Sequence, residues 1–508
     1  WVAPGTSAVV RHAVAEAIAA APTRLAAAAS RGEADVTVAP RRGRGAGRPG
    51  SRPLAEVVYA PVVPFPTVVD DVSWVDIRRF WRGDGRGLVG MTEDGSVPTL
   101  VLTPATRAAL VARMGRPASA APIRTVAADR LIDAAWEAHP AAWSIVPFDG
   151  LRPRWKALTL DGRSVLDRSL RLTRYPLVVR VDAEGPEPRV AGLRRAVAGG
   201  GVLTNRDTAR MTTLMMTGVT ALSRTIAARM EARGVTYPAA EIRDVLRNND
   251  LLHISNEVSF TDECPGPQPG TRFCSDPSYI DLLRDVGTDI VELSGNHNLD
   301  WGPEAARGTL RMYKARGWRW FAGGIDHVQA HRPLTITRNG NRLAFLGCNP
   351  VGASYAWADA GHPGSATCDL AAMGRQIRDL RARGYLPITT FQHWETYQYS
   401  PTAGQVEDFG AMSRAGAAIV SGSQAHHPQG FSFDGGGFVH YGLGNLFFDQ
   451  MQTLGTRQEI VDQHVFYKGK HLSTRLFTFL LMDYAQPRPM TPTERRQLLT
   501  SVFGASRW

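Results

Sequence analysis

Four short stretches of this sequence end a run of largely apolar residues in side chains that can bind a cation or move a proton. Leu251-Leu252-His253-Ile254 leads to Asn256 and Glu257, and Ile290-Val291 leads through Gly295 to Asn296 and His297. Ile388-Thr389-Thr390-Phe391 leads to His393 and Glu395, and Ile419-Val420 leads through Gln424 to His426 and His427. Imidazole nitrogen together with carboxylate and amide oxygen suits Mn, Fe or Zn. Glu257, Asn296, His393 and His426 are therefore the expected ligands of at most one divalent ion. Each has a plainer alternative: Asn296 as a turn former, His297 as a hydrogen-bonded core histidine, Glu257 as a helix cap or the partner of an arginine.

Short buried strands must deliver these side chains. Apolar runs of this length, alternating with amphipathic helices such as Leu222 to Arg233, predict a layered α/β domain, and in open α/β sheets sites form beyond the carboxyl ends of the strands. Further strands are expected at 213–217, 343–346 and 437–441. Thr491-Pro492-Thr493-Glu494 is a capping box that opens a final helix. Upstream the pattern differs: an Ala-rich helical start, a proline-bounded strand at 57–65, and a short helix after Ser73. Gly199-Gly200-Gly201 marks the expected join. The domains expected are 1–195, a linker at 196–210, a layered α/β domain at 211–470, and a C-terminal strand and helix at 471–508 packed on it.

From about 211 to 450 the sequence resembles the CapA family of poly-γ-glutamate capsule biosynthesis. Gly295-Asn296-His297 with Asp300 and Gly302 is similar to the family's Asn-His-x-x-Asp-x-Gly element. His393-Trp394-Glu395-Thr396-Tyr397 resembles its His-x-x-Glu-Tyr region with one residue fewer, and Gly444-Asn445-Leu446-Phe447-Phe448-Asp449 resembles its closing strand and turn. The resemblance implies a four-layer, metallophosphoesterase-like α/β fold. It also implies a catalytic part for His297 and Asp300, and substrate contacts for Asn256, Glu395, Gln424, His427 and Asn445.

Three departures matter: Val219 follows Gly218 where the family has Gly-Asp, Gln424-Ala425-His426 stands for His-x-His, and Ser255-Asn256-Glu257 stands for Asn-Leu-Glu. Valine cannot coordinate a cation, and an amide is a weaker ligand than imidazole. Residues 1–195 resemble periplasmic solute-binding domains of the phosphate type, through Pro64-Phe65-Pro66-Thr67, Phe80-Trp81-Arg82-Gly83 and Trp143-Ser144-Ile145-Val146-Pro147-Phe148-Asp149. Two functions are expected from this combination. One is an extracytoplasmic CapA-like protein of capsule or cell-envelope polymer biogenesis with a partly degenerate metallophosphoesterase-like site, a metal-dependent hydrolase if that site is active; the other is a non-catalytic binding protein for an anionic polymer or small anionic ligand.

Composition narrows the setting. With 508 residues, 44% hydrophobic and 21% charged, the chain is long enough for several cores and is not disordered as a whole. Of its 58 basic residues only Lys156, Lys314, Lys468 and Lys470 are lysine, so 54 are arginine, spread along the chain rather than gathered in a stripe with aromatics. That distribution reads as coding bias and argues against nucleic acid. The dense run Arg41, Arg42, Arg44, Arg48, Arg52 reads as a surface loop. No apolar run is long enough to span a membrane. Cys264 with Cys274, and Cys348 with Cys368, bracket turn-rich segments and are expected as two disulfides; four separate buried thiols are the competing reading. Disulfides imply an extracytoplasmic setting, and a chain that starts at Trp1 is compatible with a removed targeting segment.

Overall fold

The computed structural model describes residues 1–43, 50–267 and 269–508, and the chain forms two compact units, Trp1–Ala209 and Arg210–Trp508. The first unit is built on the 14-residue strand Ser51–Pro64. Its first half pairs antiparallel with Val178–Glu184, and its second half with Ala142–Pro147 and Trp155–Ala157. Thr99–Leu102 and Ile123–Thr125 extend the sheet in parallel. Of the arginine run, Arg41 pairs with Asp182 at 2.7 Å and Arg52 with Glu187 at 3.2 Å. Arg44 and Arg48 lie outside the described residues.

The segment expected as a linker belongs to this first unit. Helix Glu187–Ala198 runs into it and ends at Gly199, which takes the left-handed conformation that glycine adopts without strain. Leu203–Thr204 then pairs with Ala55 and Glu56, and the Asn205 side chain bonds both the N–H and the C=O of Val58. The glycines that read as a tether thus cap a helix and turn the chain back onto the sheet. Asn205 also donates to Asp149 at 3.0 Å, so this strand-tip carboxylate has a partner within its own unit.

In the second unit two sheets face each other and helices cover their outer sides. One sheet has the order Arg319–Phe321, Ile290–Glu292, Leu251–Asn256, Met211–Thr220, Gln458–Tyr467, Lys470–Met482, Gln486–Pro489; the first four strands are parallel and the rest antiparallel. The other carries Asn341–Cys348, Leu386–Gln392, Ile419–Ser423 and Phe438–His440 in parallel. Ile226, Met230, Leu283, Leu310 and Tyr313 bury the outer face of the first sheet. Met373, Ile377, Phe409 and Met412 bury that of the second. Between the sheets Phe321 meets Phe345, and His440 Nδ1 bonds Asp462 Oδ2 at 2.7 Å. This is the expected four-layer α/β arrangement.

The C-terminal segment is more than an appendage. Lys470–Met482 is an interior strand of the first sheet, and helix Pro492–Gly504 opens on the capping box read from the sequence. Both disulfides are present, Cys264–Cys274 and Cys348–Cys368, with Cα–Cα distances of 5.7 and 5.2 Å. Among the described residues no helix is long and apolar enough to cross a membrane.

Candidate functional site

Parallel strands end on the same side of their sheet, so the tips of Met211–Thr220, Leu251–Asn256 and Ile290–Glu292 lie together, as do those of Leu386–Gln392 and Ile419–Ser423. Two glycines permit the close approach: a Cβ at Gly218 would collide with the Gly444 carbonyl, and one at Gly295 with Glu257. At the centre sits Gln392. Its Nε2 donates to Asn296 Oδ1 at 2.7 Å, to Gln424 Oε1 at 2.7 Å and to Glu257 Oε2 at 3.2 Å. Three oxygens facing one atom identify it as the amide nitrogen, which has only two hydrogens to share among them. Gln424 holds its place at φ +73° and His426 at φ +52°, a left-handed conformation that costs a non-glycine residue about 1–2 kcal/mol and that clusters at functional sites.

Glu257 is buried, and burial raises its carboxyl above the ordinary value; His297, His426 and the Gln392 bond oppose that rise. His297 donates from Nδ1 to Asp300 Oδ2 at 2.7 Å, and the same oxygen accepts the Phe273 N–H at 2.8 Å. Tyr355 bonds the other Asp300 oxygen at 3.3 Å, and the Phe273 ring lies 4.1 Å from the imidazole. Burial works against a charged His297, but Asp300 and the Glu257 carboxylate outweigh it, so the pKa is raised above 6.5. An imidazolium with Nδ1 committed leaves Nε2–H as the proton it can present to a ligand.

His426 is fixed by Asn445. The Asn445 Nδ2 donates to Gln450 and to the Thr456 carbonyl, so its Oδ1 accepts from His426 Nδ1 at 2.7 Å; His426 Nε2 then lies 3.5 Å from Glu395. Glu395 is half exposed and takes the Tyr397 hydroxyl.

Three of the side chains read from the sequence do not join this cluster. His393 turns the other way, with Nε2 3.0 Å from Asp408 and its ring edge against Phe409. The strand ends at Gln392, and successive side chains take opposite faces. His393 and Glu395 lie beyond its end, where alternation no longer sets their direction, and they diverge toward Asp408 and His426. Asn256 Nδ2 bonds the Val258 carbonyl and the buried Tyr313 hydroxyl, which makes it part of the core behind the site. His427 packs over Gly455, with Nε2 3.3 Å from Thr453; burial, then the neighbouring His426, depresses it to about 4. Sequence reasoning missed Gln392 because an amide carries no catalytic signature. Strand parity with Thr390, two residues earlier on the same buried strand, could have pointed to it.

Val219 lies with Ala221, Val258, Phe273 and Phe448 in an apolar cluster. Arg224 covers that cluster, its guanidinium 4.7 Å from the rings of both Phe273 and Phe448, and pairs with Asp449. This too was not foreseen. The position expected to carry a carboxylate beside a cation is apolar and roofed by a protein cation.

Residues 213–450 match the family described as bacterial capsule synthesis protein PGA_cap. Over 244 residues the chain is 23% identical to the PGA biosynthesis protein CapA of Bacillus subtilis (strain 168), covering 47% of this chain and 64% of that protein. Residues 213–450 of the second unit are CapA-like. The chain spans less than two thirds of the length of that curated relative.

Among solved structures, the chain is similar to a 5'-nucleotidase precursor from Thermus thermophilus, at 15% identity and a TM-score of 0.35 over 57% of this chain and 58% of that one. It is also similar to an ABC-type phosphate transport receptor from Vibrio cholerae, at 11% identity and a TM-score of 0.31 over 38% of this chain and 95% of that one.

The CapA-like region does not fit the metal expected from its strand tips. Among the described residues no three His, Cys, Asp or Glu side chains gather where they could hold an ion. Asn296, Gln424 and Glu257 do present converging oxygens, but the Gln392 amide nitrogen stands where they meet. His393 is engaged by Asp408, and His426 by Asn445.

Proposed function

We propose that this chain serves capsule or related cell-envelope polymer biogenesis outside the cytoplasm. Its CapA-type domain, on this reading, binds an anionic segment of a poly-γ-glutamate-type polymer and performs no metal chemistry on it. The observation that carries the reading is the Gln392 Nε2 bonded to Glu257, Asn296 and Gln424 at the point where a cation would be held. Removing a carboxylate at Val219 and an imidazole at Gln424 lowers both the charge and the donor number available to an ion. His297, with its raised pKa, supplies a proton-bearing Nε2 for a carboxylate or phosphate oxygen, and Asp300 holds the ring in place. The two disulfides support an oxidising compartment.

The test pairs elemental analysis of purified protein with calorimetry against poly-γ-glutamate and an assay on a generic phosphodiester. The expected result is well under one divalent ion per chain, measurable polymer binding and no turnover. Two tightly held ions with phosphodiester hydrolysis would replace this reading with that of a metal-dependent hydrolase. One observation favours a second reading: a hydrogen-bonded imidazolium near a buried carboxyl is also a general acid beside a base. Turnover that survives chelation and is lost in His297→Asn would support it.

A further inference from the structure

The first unit carries a cationic pocket that the CapA-type reading does not use. In helix Trp74–Trp81 the apolar side chains Ile77 and Phe80 face the core, where Phe80 meets Trp143 edge-on at 5.3 Å. Trp74, Arg78, Trp81 and Arg82 recur at the four- and seven-residue spacings that share a helix face. Helix Pro104–Met114 ends beside them, and the two helix ends are fastened together. Trp81 Nε1 donates to the Gly115 carbonyl at 2.9 Å, and the Ala118 N–H to the Trp81 carbonyl at 3.0 Å. Gly115 takes φ +87° to make this turn.

Between them lies a cavity of about 230 Å³, lined by Trp74, Arg78, Trp81, Arg82, Arg113 and Met114. Among the described residues no acidic side chain lines it. Arg113 is aimed by the Pro176 carbonyl, which accepts from its Nε and Nη2 at 3.1 and 3.0 Å, and its guanidinium lies 5.6 Å from the Trp74 ring.

Charge accounting sets these arginines apart from their neighbours. Arg79 pairs with Asp76 and Arg86 with Asp84, whereas among the described residues the Arg78 and Arg82 side chains make no ion pair or hydrogen bond. The two helix C-termini each contribute roughly half a negative charge. The Arg78 and Arg82 guanidinium groups by themselves exceed that and leave about one net positive charge at the cavity.

We infer that this pocket binds a ring-bearing organic oxyanion. The guanidinium forks take the phosphate, sulfate or carboxylate, and the indole face of the half-buried Trp74 takes the ring. An acidic sugar unit of a glycan and a nucleotide share that chemistry.

Calorimetry on the full chain tests it, with glucose 6-phosphate and uridine monophosphate as the two ring-bearing probes and inorganic phosphate as the ringless one. At least one ring-bearing probe should bind about tenfold tighter than inorganic phosphate, and the tighter of the two identifies the source. Arg78→Glu/Arg82→Glu should lose at least about tenfold in that affinity, since each charge-assisted contact is worth that order. Trp74→Ala should remove the preference for the ring while phosphate binding persists. Arg79→Glu, on the same helix but already paired, should change little. All three arginines replaced in these variants are exposed, so an unchanged melting temperature certifies the fold. Binding of neither ring-bearing probe, no preference over phosphate, or affinity indifferent to Arg78→Glu/Arg82→Glu would overturn the inference. His297→Asn leaves this pocket intact, so its effect reports on the CapA-type domain alone.

Discussion

Asp300 decides what His297 can do. Burial alone would lower the imidazole pKa, and the rise above 6.5 comes from the hydrogen bond to Asp300 and from the Glu257 carboxylate. In Asp300→Asn the burial remains and the largest opposing contribution, the charge-assisted hydrogen bond to Asp300, is lost. The His297 pKa should fall, to be read from its ring-proton NMR titration, and poly-γ-glutamate binding near pH 7 should weaken with it.

The same scale explains why one restored ligand is not enough. Val219→Asp puts a carboxylate into the apolar cluster of Ala221, Val258, Phe273 and Phe448. It should lower stability by a few kcal/mol without adding metal, because an unpaired buried charge is costly. Val219→Asp/Gln392→His/Gln424→His supplies a carboxylate and two imidazoles and removes the central amide nitrogen. Elemental analysis should then find a divalent ion that the unmodified protein lacks. Failure of the triple variant to gain metal while folded would mean that Gln392 is not what excludes it.

Among the elements, strand Gln458–Tyr467 lies beside Met211–Thr220 and carries Glu459, which is buried. One Glu459 oxygen accepts the Gly218 N–H at 3.4 Å, and the other has no partner among the described residues. Burial raises this carboxyl well above 4.5. The folded chain therefore keeps a proton that the unfolded chain releases, and stability falls as pH rises from about 4.5 toward the folded value. Thermal melts should show Glu459→Gln losing less stability than the unmodified protein between pH 5 and pH 8, pH values about one unit above the carboxyl range and near neutrality.

His464 and His471 act in the opposite sense. Burial holds His471 down to about 3 and His464 well below 6.5. Their contribution is complete above pH 6.5 and is lost as pH falls below it, because the unfolded chain then takes up protons that the folded one refuses. His471→Gln should flatten the acid side of the melting profile and leave the alkaline side unchanged.

At the scale of the whole molecule, the division at Ala209 and Arg210 makes each unit a candidate for independent folding. A fragment comprising 210–508 should unfold cooperatively by itself, since its sheets draw strands only from within that range. The disulfides belong to the same scale. Cys264–Cys274 anchors the loop that brings Phe273 to His297 and Asp300, and Cys348–Cys368 spans the segment bearing Tyr355 and Ser365, whose hydroxyl bonds the Gly295 carbonyl at 2.8 Å. Closing loops of this size stabilises a fold by about 3 kcal/mol each in the chain-entropy account. Reduction should lower the melting temperature and also shift the His297 titration. Loss of stability with an unchanged His297 would separate the bridges from the site.

Much of this protein is written locally and was legible from the sequence. Buried strands announce themselves as apolar runs, the Thr491 capping box and the Ser73 cap are contiguous motifs, and each cysteine pair closes its own short loop. The strand tips that meet around Glu257 follow from parallel order, because parallel strands end together. Tertiary structure decided which side chain at each tip faces inward. Gln392 rather than His393 enters the cluster because the strand stops one residue earlier than the chemistry of the residues suggests, and side-chain direction reverses at each step. Gly199 to Gly201 look like a tether in one dimension and serve as a helix cap in three. The guanidinium of Arg224 over the Val219 cluster, and the facing of Arg78, Arg82 and Arg113 across two helix ends, depend on contacts between segments distant in sequence. Such contacts are set by packing, and no local pattern encodes them.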